Sequence, residues 1–269
     1  MFDIKDKTIV ITGGAGVLCG TMAKALAKAG SKVAVLDLNE TAAGQVAEDI
    51  RKAGGEAIAV KCNVLDKDSI EEAREKIIAE FGTIDTLING AGGNKKEAST
   101  SPDMSFFDIP TDAVRSVFDL NFLGTLLPCQ VFGKHMAEKQ LGVILNISSM
   151  NAFCPLTKIP AYSAAKAAVS NFTQWLAVHM CQNYSENIRV NAIAPGFFLT
   201  EQNRFLLIDE KTDKPTPRGK TIIEHTPMAR YGKPEDLIGT TLWLLSDAAK
   251  FVTGIVVPVD GGFSAFSGV

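Results

Sequence analysis

The sequence predicts a doubly wound α/β domain: one mostly parallel, seven-stranded sheet with helices on both faces. Three observations lead there. Apolar, β-rich runs alternate with longer segments of helical periodicity along all 269 residues, the signature of βαβ units around a sheet buried on both faces. The first apolar run leads straight into a turn dense in glycine. No internal repeat and no linker rich in Pro, Gly and Ser divides the chain, so residues 1–269 read as one domain.

Taken in order, the strand-like runs are 8–12 (TIVIT), 32–37 (KVAVLD), 57–62 (AIAVKC), 86–89 (TLIN), 142–147 (GVILNI), 189–194 (RVNAIA) and 256–259 (VVPV). Between them, apolar residues recur at helical spacing over 17–29, 40–53, 67–81, 111–139, 161–183 and 234–246. Such spacing fits right-handed crossovers. Segment 198–230 breaks the rhythm just past a strand's carboxyl end, and it carries Pro215, Pro217 and Gly219. In open α/β sheets that rim is where ligands bind. The segment is therefore either a substrate lid or an ordinary surface excursion.

Composition narrows the partners. The chain is 46% hydrophobic and 21% charged, as soluble globular proteins are, and its 27 Lys and Arg against 30 Asp and Glu leave a net charge of −3. No basic field exists to attract nucleic acid or anionic lipid, so a small molecule is the expected ligand. The N-terminus lacks a signal-peptide pattern and no run has spanning length, which points to the cytoplasm. The cysteines, at 19, 62, 129, 154 and 181, form an odd set without paired spacing, and His135, His179 and His225 are scattered. Neither a disulfide framework nor a metal site is expected.

The glycine turn, Thr12-Gly13-Gly14-Ala15-Gly16-Val17-Leu18-Cys19-Gly20, lies between a strand and a helix. Backbone N–H groups and a helix N-terminus presented together favour a pyrophosphate, which makes Gly13, Gly14, Ala15, Val17 and Leu18 candidate contacts in a Rossmann-type site. Glycine turns also occur without any ligand. Here Asp37, 24 residues beyond Gly13, ends the second strand, followed by Leu38. A carboxylate there accepts both ribose hydroxyls and repels a 2′-phosphate, and no Arg or Lys in the turn compensates one, so NAD is expected rather than NADP. Asn63 and Val64 after the third strand, and Asn89, Gly90 and Ala91 after the fourth, face the same crevice.

The fifth strand ends at Ser148-Ser149, and 13 residues beyond Ser149 comes Tyr162-Ser163-Ala164-Ala165-Lys166 at the start of a long helix. Residues four apart share a helix face. Reducing a carbonyl needs a proton donor for the growing alkoxide, and a phenol of pKa about 10 serves in both directions only if its anion is stabilised. A nearby ammonium does that, and Ser149 can hold the carbonyl oxygen.

In sequence order, TGGAGVLCG, NGAG, the Ser149/Tyr162 spacing, YSAAK, IRVNAIAPG and VDGG together resemble the short-chain dehydrogenase/reductase family over nearly the whole chain. The resemblance implies a catalytic triad of Ser149, Tyr162 and Lys166, with Asn121 in FDLNFLGTL holding a water of the proton relay. It also implies that Lys166 binds the nicotinamide ribose, that Pro195, Gly196, Phe198 and Thr200 seat the carboxamide, and that the chain forms a homotetramer through helices 111–139 and 161–183 and the tail FSAFSGV. Two departures stand out. Val17 and Cys19 occupy places where the family usually has glycine, with Gly16 and Gly20 one position off, so a remodelled first helical turn is expected. Gly90 replaces the usual second asparagine of the fourth-strand motif, and Asn63 the usual aspartate.

Within the family, the runs GGAGVLCGTMAKALA, AGGN, SSMNAFCPLTKIPAYSAAKAA and PGFFLTEQNRFLL are similar to the D-mannonate oxidoreductase (fructuronate reductase) branch. That resemblance implies a hexuronate substrate, whose carboxylate needs a cation and whose hydroxyls need amide or hydroxyl partners. Asn94, Lys95, Lys96, Ser149, Asn151, Lys158, Gln202, Asn203, Arg204 and His225 are the candidates. Arg204 is preferred as the clamp because a guanidinium engages both oxygens, although a solvated lid charge reads the same way in sequence. The alternatives are a reductase for another sugar acid, keto-sugar or polyol, and a catalytically silent cofactor-binding protein.

Overall fold

A computed structural model of the chain describes residues 2–200, 204–210 and 212–268. Gln202 and Asn203, named above for the substrate pocket, lie outside the described residues. The sheet has seven strands: β1 (Thr8–Thr12), β2 (Lys32–Asp37), β3 (Glu56–Lys61), β4 (Thr86–Asn89), β5 (Gly142–Ile147), β6 (Ile188–Pro195) and β7 (Val256–Val259). Their order is β3-β2-β1-β4-β5-β6-β7 and every pairing is parallel, so the sheet is parallel throughout rather than mostly so. The direction of winding reverses between β1 and β4, where the carboxyl ends of adjacent strands diverge and leave a crevice.

Helices α1 (Val17–Lys28), α2 (Glu40–Lys52) and α9 (Ile238–Leu245) cover one face; α3 (Lys67–Phe81), α5 (Gly124–Lys139) and α6 (Pro160–Asn183) cover the other. Alternation along the strands sorts the core between them. Ile9, Ile11, Val33 and Val35 pack with Met22, Leu26, Ala47 and Leu244, while Val10, Ala34 and Leu36 pack with Ile77, Phe132 and Met136. Local chemistry sets the helix starts. Asn39 caps α2 by accepting from Ala42 N, Asp66 caps α3 by accepting from Asp68 N and Ser69 N, and Pro160 opens α6 at its first turn.

Two expected elements differ. The single helix over 111–139 is α4 (Thr111–Phe118), a π-helical turn (Asp119–Leu123) and α5. A π turn adds one residue without breaking the helical rod, so apolar spacing hardly registers it, and such turns recur at functional sites. The stretch 234–246 begins as a 3-10 turn, Pro234–Leu237, before α9. Segment 198–230 carries two short helices, α7 (Arg204–Leu207) and α8 (Pro217–Glu224). Among the described residues no helix is long and apolar enough to cross a membrane.

Candidate active site

The crevice at the carboxyl ends of β1, β2 and β4 is a cleft of about 560 Å³. Gly13, Val17, Leu18, Asp37, Leu38, Asn63, Val64, Gly90, Ala91, Gly196, Phe198 and Thr200 line it, together with Tyr162 and Lys166. Backbone approach is close. Gly13 sits at φ +62, and a Cβ there would stand 2.8 Å from Ala91 Cα. Beneath the turn, Gly14 N donates to Leu36 O at 3.0 Å and Ala15 N donates to Asp37 Oδ2 at 3.1 Å. The other Asp37 oxygen accepts from Asn39 N at 2.9 Å. The acid is thus aimed across the end of β2 at the glycine turn, where a ribose next to a bound pyrophosphate would lie.

Two expected contacts point elsewhere. Asn89 is buried with its side chain turned into the core, where Nδ2 donates to Asn146 Oδ1 at 2.8 Å. Asn146 in turn donates to Thr173 Oγ1 at 2.9 Å, and Thr173 donates to Val169 O at 2.8 Å. This chain of amides ties β4, β5 and α6 together under the site. Sequence reasoning missed it, although a lone asparagine in the apolar run GVILNI was its signal. Pro195, the last residue of β6, is buried in the strand, with Gly196 and Phe198 beyond it at the cleft.

The candidate catalytic groups come together here: Tyr162 and Lys166 line the cleft, and Ser149 hydrogen-bonds with Tyr162. Ser149 leaves β5 and caps the 3-10 turn Met150–Ala152, accepting from Asn151 N at 3.3 Å. Tyr162 lies in the first turn of α6. One turn on, buried Lys166 places Nζ 5.7 Å from the Tyr162 ring centroid and donates to Ile147 O at 2.8 Å. Burial pushes the Tyr162 phenol up, and hydrogen bonding with Ser149 opposes it. Burial pulls the Lys166 ammonium down to about 8. A phenol held protonated is a ready acid, and an ammonium short of solvent is drawn to any anion formed beside it.

Asn121 stands in the π turn. Its Nδ2 donates to Gly93 O and Val117 O, each at 2.7 Å, and its Oδ1 accepts from Gly93 N at 3.2 Å. The side chain therefore pins the loop after β4 from both sides. Gly92 threads between the two key residues: a Cβ on it would lie 2.7 Å from Asn121 Oδ1 and 3.2 Å from Lys166 Nζ.

On the substrate side, Asn94 donates to Ser99 Oγ at 2.9 Å. Asn151 is buried, with an Oδ1 that has no hydrogen-bond partner among the described residues. Arg204 is already engaged, its guanidinium 2.6 Å from Asp213 Oδ1 within segment 198–230.

Residues 16–264 match the family model described as enoyl-(acyl carrier protein) reductase. The chain belongs to the short-chain dehydrogenase/reductase family. Its members are oxidoreductases, typically acting on CH–OH groups. A solved structure from Haemophilus influenzae, named as a candidate D-mannonate oxidoreductase with bound NAD, is 51% identical with a TM-score of 0.93, covering 99% of this chain and 98% of that one. The 5-keto-D-gluconate 5-reductase of Escherichia coli is 33% identical over 97% of each chain. A gluconate 5-dehydrogenase from Burkholderia cenocepacia, in complex with NADP and tartrate, is 29% identical with a TM-score of 0.86, over 98% of each chain.

Against the usual short-chain dehydrogenase pattern, the two departures at Cys19 and Gly90 explain one another. A Cβ on Gly90 would collide with Cys19 Sγ and lie 2.8 Å from Thr12 O. The thiol in α1 occupies the room that the missing side chain of the fourth-strand loop leaves. Cys19 is buried and its pKa is raised to about 12 by that burial, so it packs as a neutral, unreactive group. The two positions should therefore be coupled. Gly90→Ala is expected to cost about 1–3 kcal/mol in a denaturant titration, as overpacking does. In a Cys19→Gly background the added methyl should cost less, because only the Thr12 O contact remains, and strictly additive losses would refute the pairing.

All five cysteines are free thiols. Among the described residues no cluster of three or more His, Cys, Asp or Glu could hold a metal ion.

Proposed function

We propose that the protein interconverts D-mannonate and D-fructuronate with NAD(H). The observation that carries the reaction is the meeting of Ser149, Tyr162 and Lys166 at a cleft that Asp37 also lines. The substrate class rests on the relatives, whose names point to six-carbon sugar acids.

The residues fit a nicotinamide dinucleotide: glycines whose Cβ positions are already taken, and a carboxylate aimed at the turn. Gly13, Gly14, Ala15, Val17 and Leu18 would hold the pyrophosphate, Asp37 and Leu38 the adenosine ribose, and Asn63 and Val64 the adenine edge. Gly90 and Ala91 would pass under the dinucleotide, with Asn89 contributing only through its backbone. Gly196, Phe198 and Thr200, following Pro195, would meet the carboxamide. When bound, the nicotinamide supplies a hydride to the keto carbon or accepts one from the alcohol carbon. Ser149 Oγ donates to the keto oxygen and Tyr162 delivers its proton to the growing alkoxide; in the reverse direction the phenolate takes that proton. Lys166 holds the phenolate down and reaches the neighbouring ribose, while Asn121 steadies the loop that carries Gly92 and Gly93 and the water of the relay.

Preference for NAD follows from Asp37, since a 2′-phosphate beside a carboxylate costs several kcal/mol. Wild-type enzyme should favour NADH over NADPH in kcat/KM by about 10²-fold or more, and Asp37→Ala should narrow that gap. Equal efficiency of the two cofactors in the wild type would overturn the assignment. A second reading, reduction of another keto-sugar acid such as 5-keto-D-gluconate, is favoured by the Escherichia coli relative. Assay at 340 nm with NADH against fructuronate, 5-keto-D-gluconate and neutral ketoses separates the two. A homotetramer in the cytoplasm belongs to the same proposal; the exposed Trp175 and Val178 on α6 lie on the expected helical interface.

A further inference from the structure

A second cavity, of about 770 Å³, adjoins the catalytic cleft. It lies between the loop after β4, the segment leading into α6, and α8. Phe197 lines both cavities, and Ile159, three residues before Tyr162, lines this one. Among the described residues its charged lining is of one sign: Lys96, Lys158 and Arg218, with His225 beside them and no Asp or Glu. Among the described residues none of the three cations is ion-paired, whereas Arg204 is spoken for by Asp213.

Arg218 is the best placed of the three. It stands in the first turn of α8, which Pro217 opens and Thr216 caps by accepting from Gly219 N at 3.1 Å. Gly219 is buried against α7, where a Cβ would run into Leu207 O. The backbone next to Arg218 is therefore held in register, while its guanidinium faces the cavity. Lys158 is fixed at its main chain, whose carbonyl accepts from Thr100 N at 2.9 Å. His225, at the far end of α8, is tied through Nδ1 to Thr221 O at 2.8 Å. Three like charges lining one cavity, with no counter-charge among the described residues, give it a positive field that draws an anion. A planar fork and two ammonium groups suit a carboxylate.

We propose that Arg218, supported by Lys158 and Lys96, anchors the carboxylate of the acidic substrate, and that Arg204 does not. The inference rests on the sugar-acid reading of the same site. An anchor here leaves the chain of the substrate to run past Phe197 toward Tyr162, which lines the adjoining cleft with it.

The test uses the full-length enzyme with NADH and, as substrates, D-fructuronate, 5-keto-D-gluconate and fructose. Arg218→Ala should raise KM for the keto acid that is turned over by about 10- to 100-fold, with kcat and the KM for NADH little changed. Arg218→Lys should recover part of the loss, and Arg204→Ala should leave KM within about twofold, because its partner is Asp213. A large KM effect at Arg204 with none at Arg218, or equal losses for fructose and the keto acid, would overturn the proposal. If neither keto acid is reduced, the sugar-acid reading of the reaction fails, and the anchor is then read by thermal shift with D-gluconate in the presence of NADH. Stabilisation of the wild type that Arg218→Ala abolishes supports the anchor; absence of stabilisation in the wild type overturns it.

Discussion

Tyr162→Phe is expected to lower kcat by about 10²- to 10⁴-fold while leaving the Kd for NADH nearly unchanged. The change deletes one oxygen and keeps the ring that packs at the start of α6. No neighbour can take over the proton. Lys166 Nζ is committed to Ile147 O, 5.7 Å from the ring centroid, and Ser149 is a neutral hydroxyl. Because burial raises the phenol, the wild type is a ready acid at neutral pH and a poor base. Oxidation of the alcohol should therefore gain with rising pH, and the residual rate of the variant should lose that dependence. Stopped-flow turnover and fluorescence titration of NADH measure the two halves separately, and near-normal turnover in the variant would remove Tyr162 from the chemistry.

Fructuronate should be preferred over fructose in kcat/KM by about 10²-fold or more. One charge-assisted contact is worth roughly 1.5–3 kcal/mol, and two or three cations share this carboxylate. Lys96, Lys158 and Arg218 are all exposed at the cavity rim, so solvent screens them and the gain stays short of the simple sum. The preference should shrink as ionic strength rises, a behaviour that hydroxyl recognition alone would not produce. Comparable efficiency for the two ketoses would dismiss a carboxylate site and leave the dehydrogenase chemistry standing.

Sequence periodicity captured the sheet well, because each strand is short, mostly apolar and bounded by turns. The boundaries of β1, β2, β4, β5 and β7 coincide with the apolar runs, and β3 and β6 move by one residue at their ends. The π turn at Asn121 escaped because one extra residue shifts a helical pattern by only a fraction of a turn. Asn89 shows a different limit. A polar residue at a strand end can face crevice or core, and only the presence of Asn146 and Cys129 behind it decides the direction. Arg204 and Arg218 are alike in sequence, both being cations of segment 198–230. What separates them is tertiary: Asp213 folds back onto the first, and among the described residues nothing acidic lines the cavity of the second.

The fit between Cys19 and Gly90 bears on how this chain can be recombined with its relatives. The two residues lie on opposite sides of β2 and β3 in sequence, 71 positions apart, yet they share one small volume. A chimera that takes residues 1–50 from this protein and the remainder from a relative with asparagine at the second position would place two side chains in that volume. The reciprocal chimera, with glycine at the first position and Gly90 at the second, would leave a void beside the cleft that both residues line. Exchanges with both crossovers on the same side of the pair avoid either fault, so viable hybrids should inherit the first βα unit and the fourth-strand loop together.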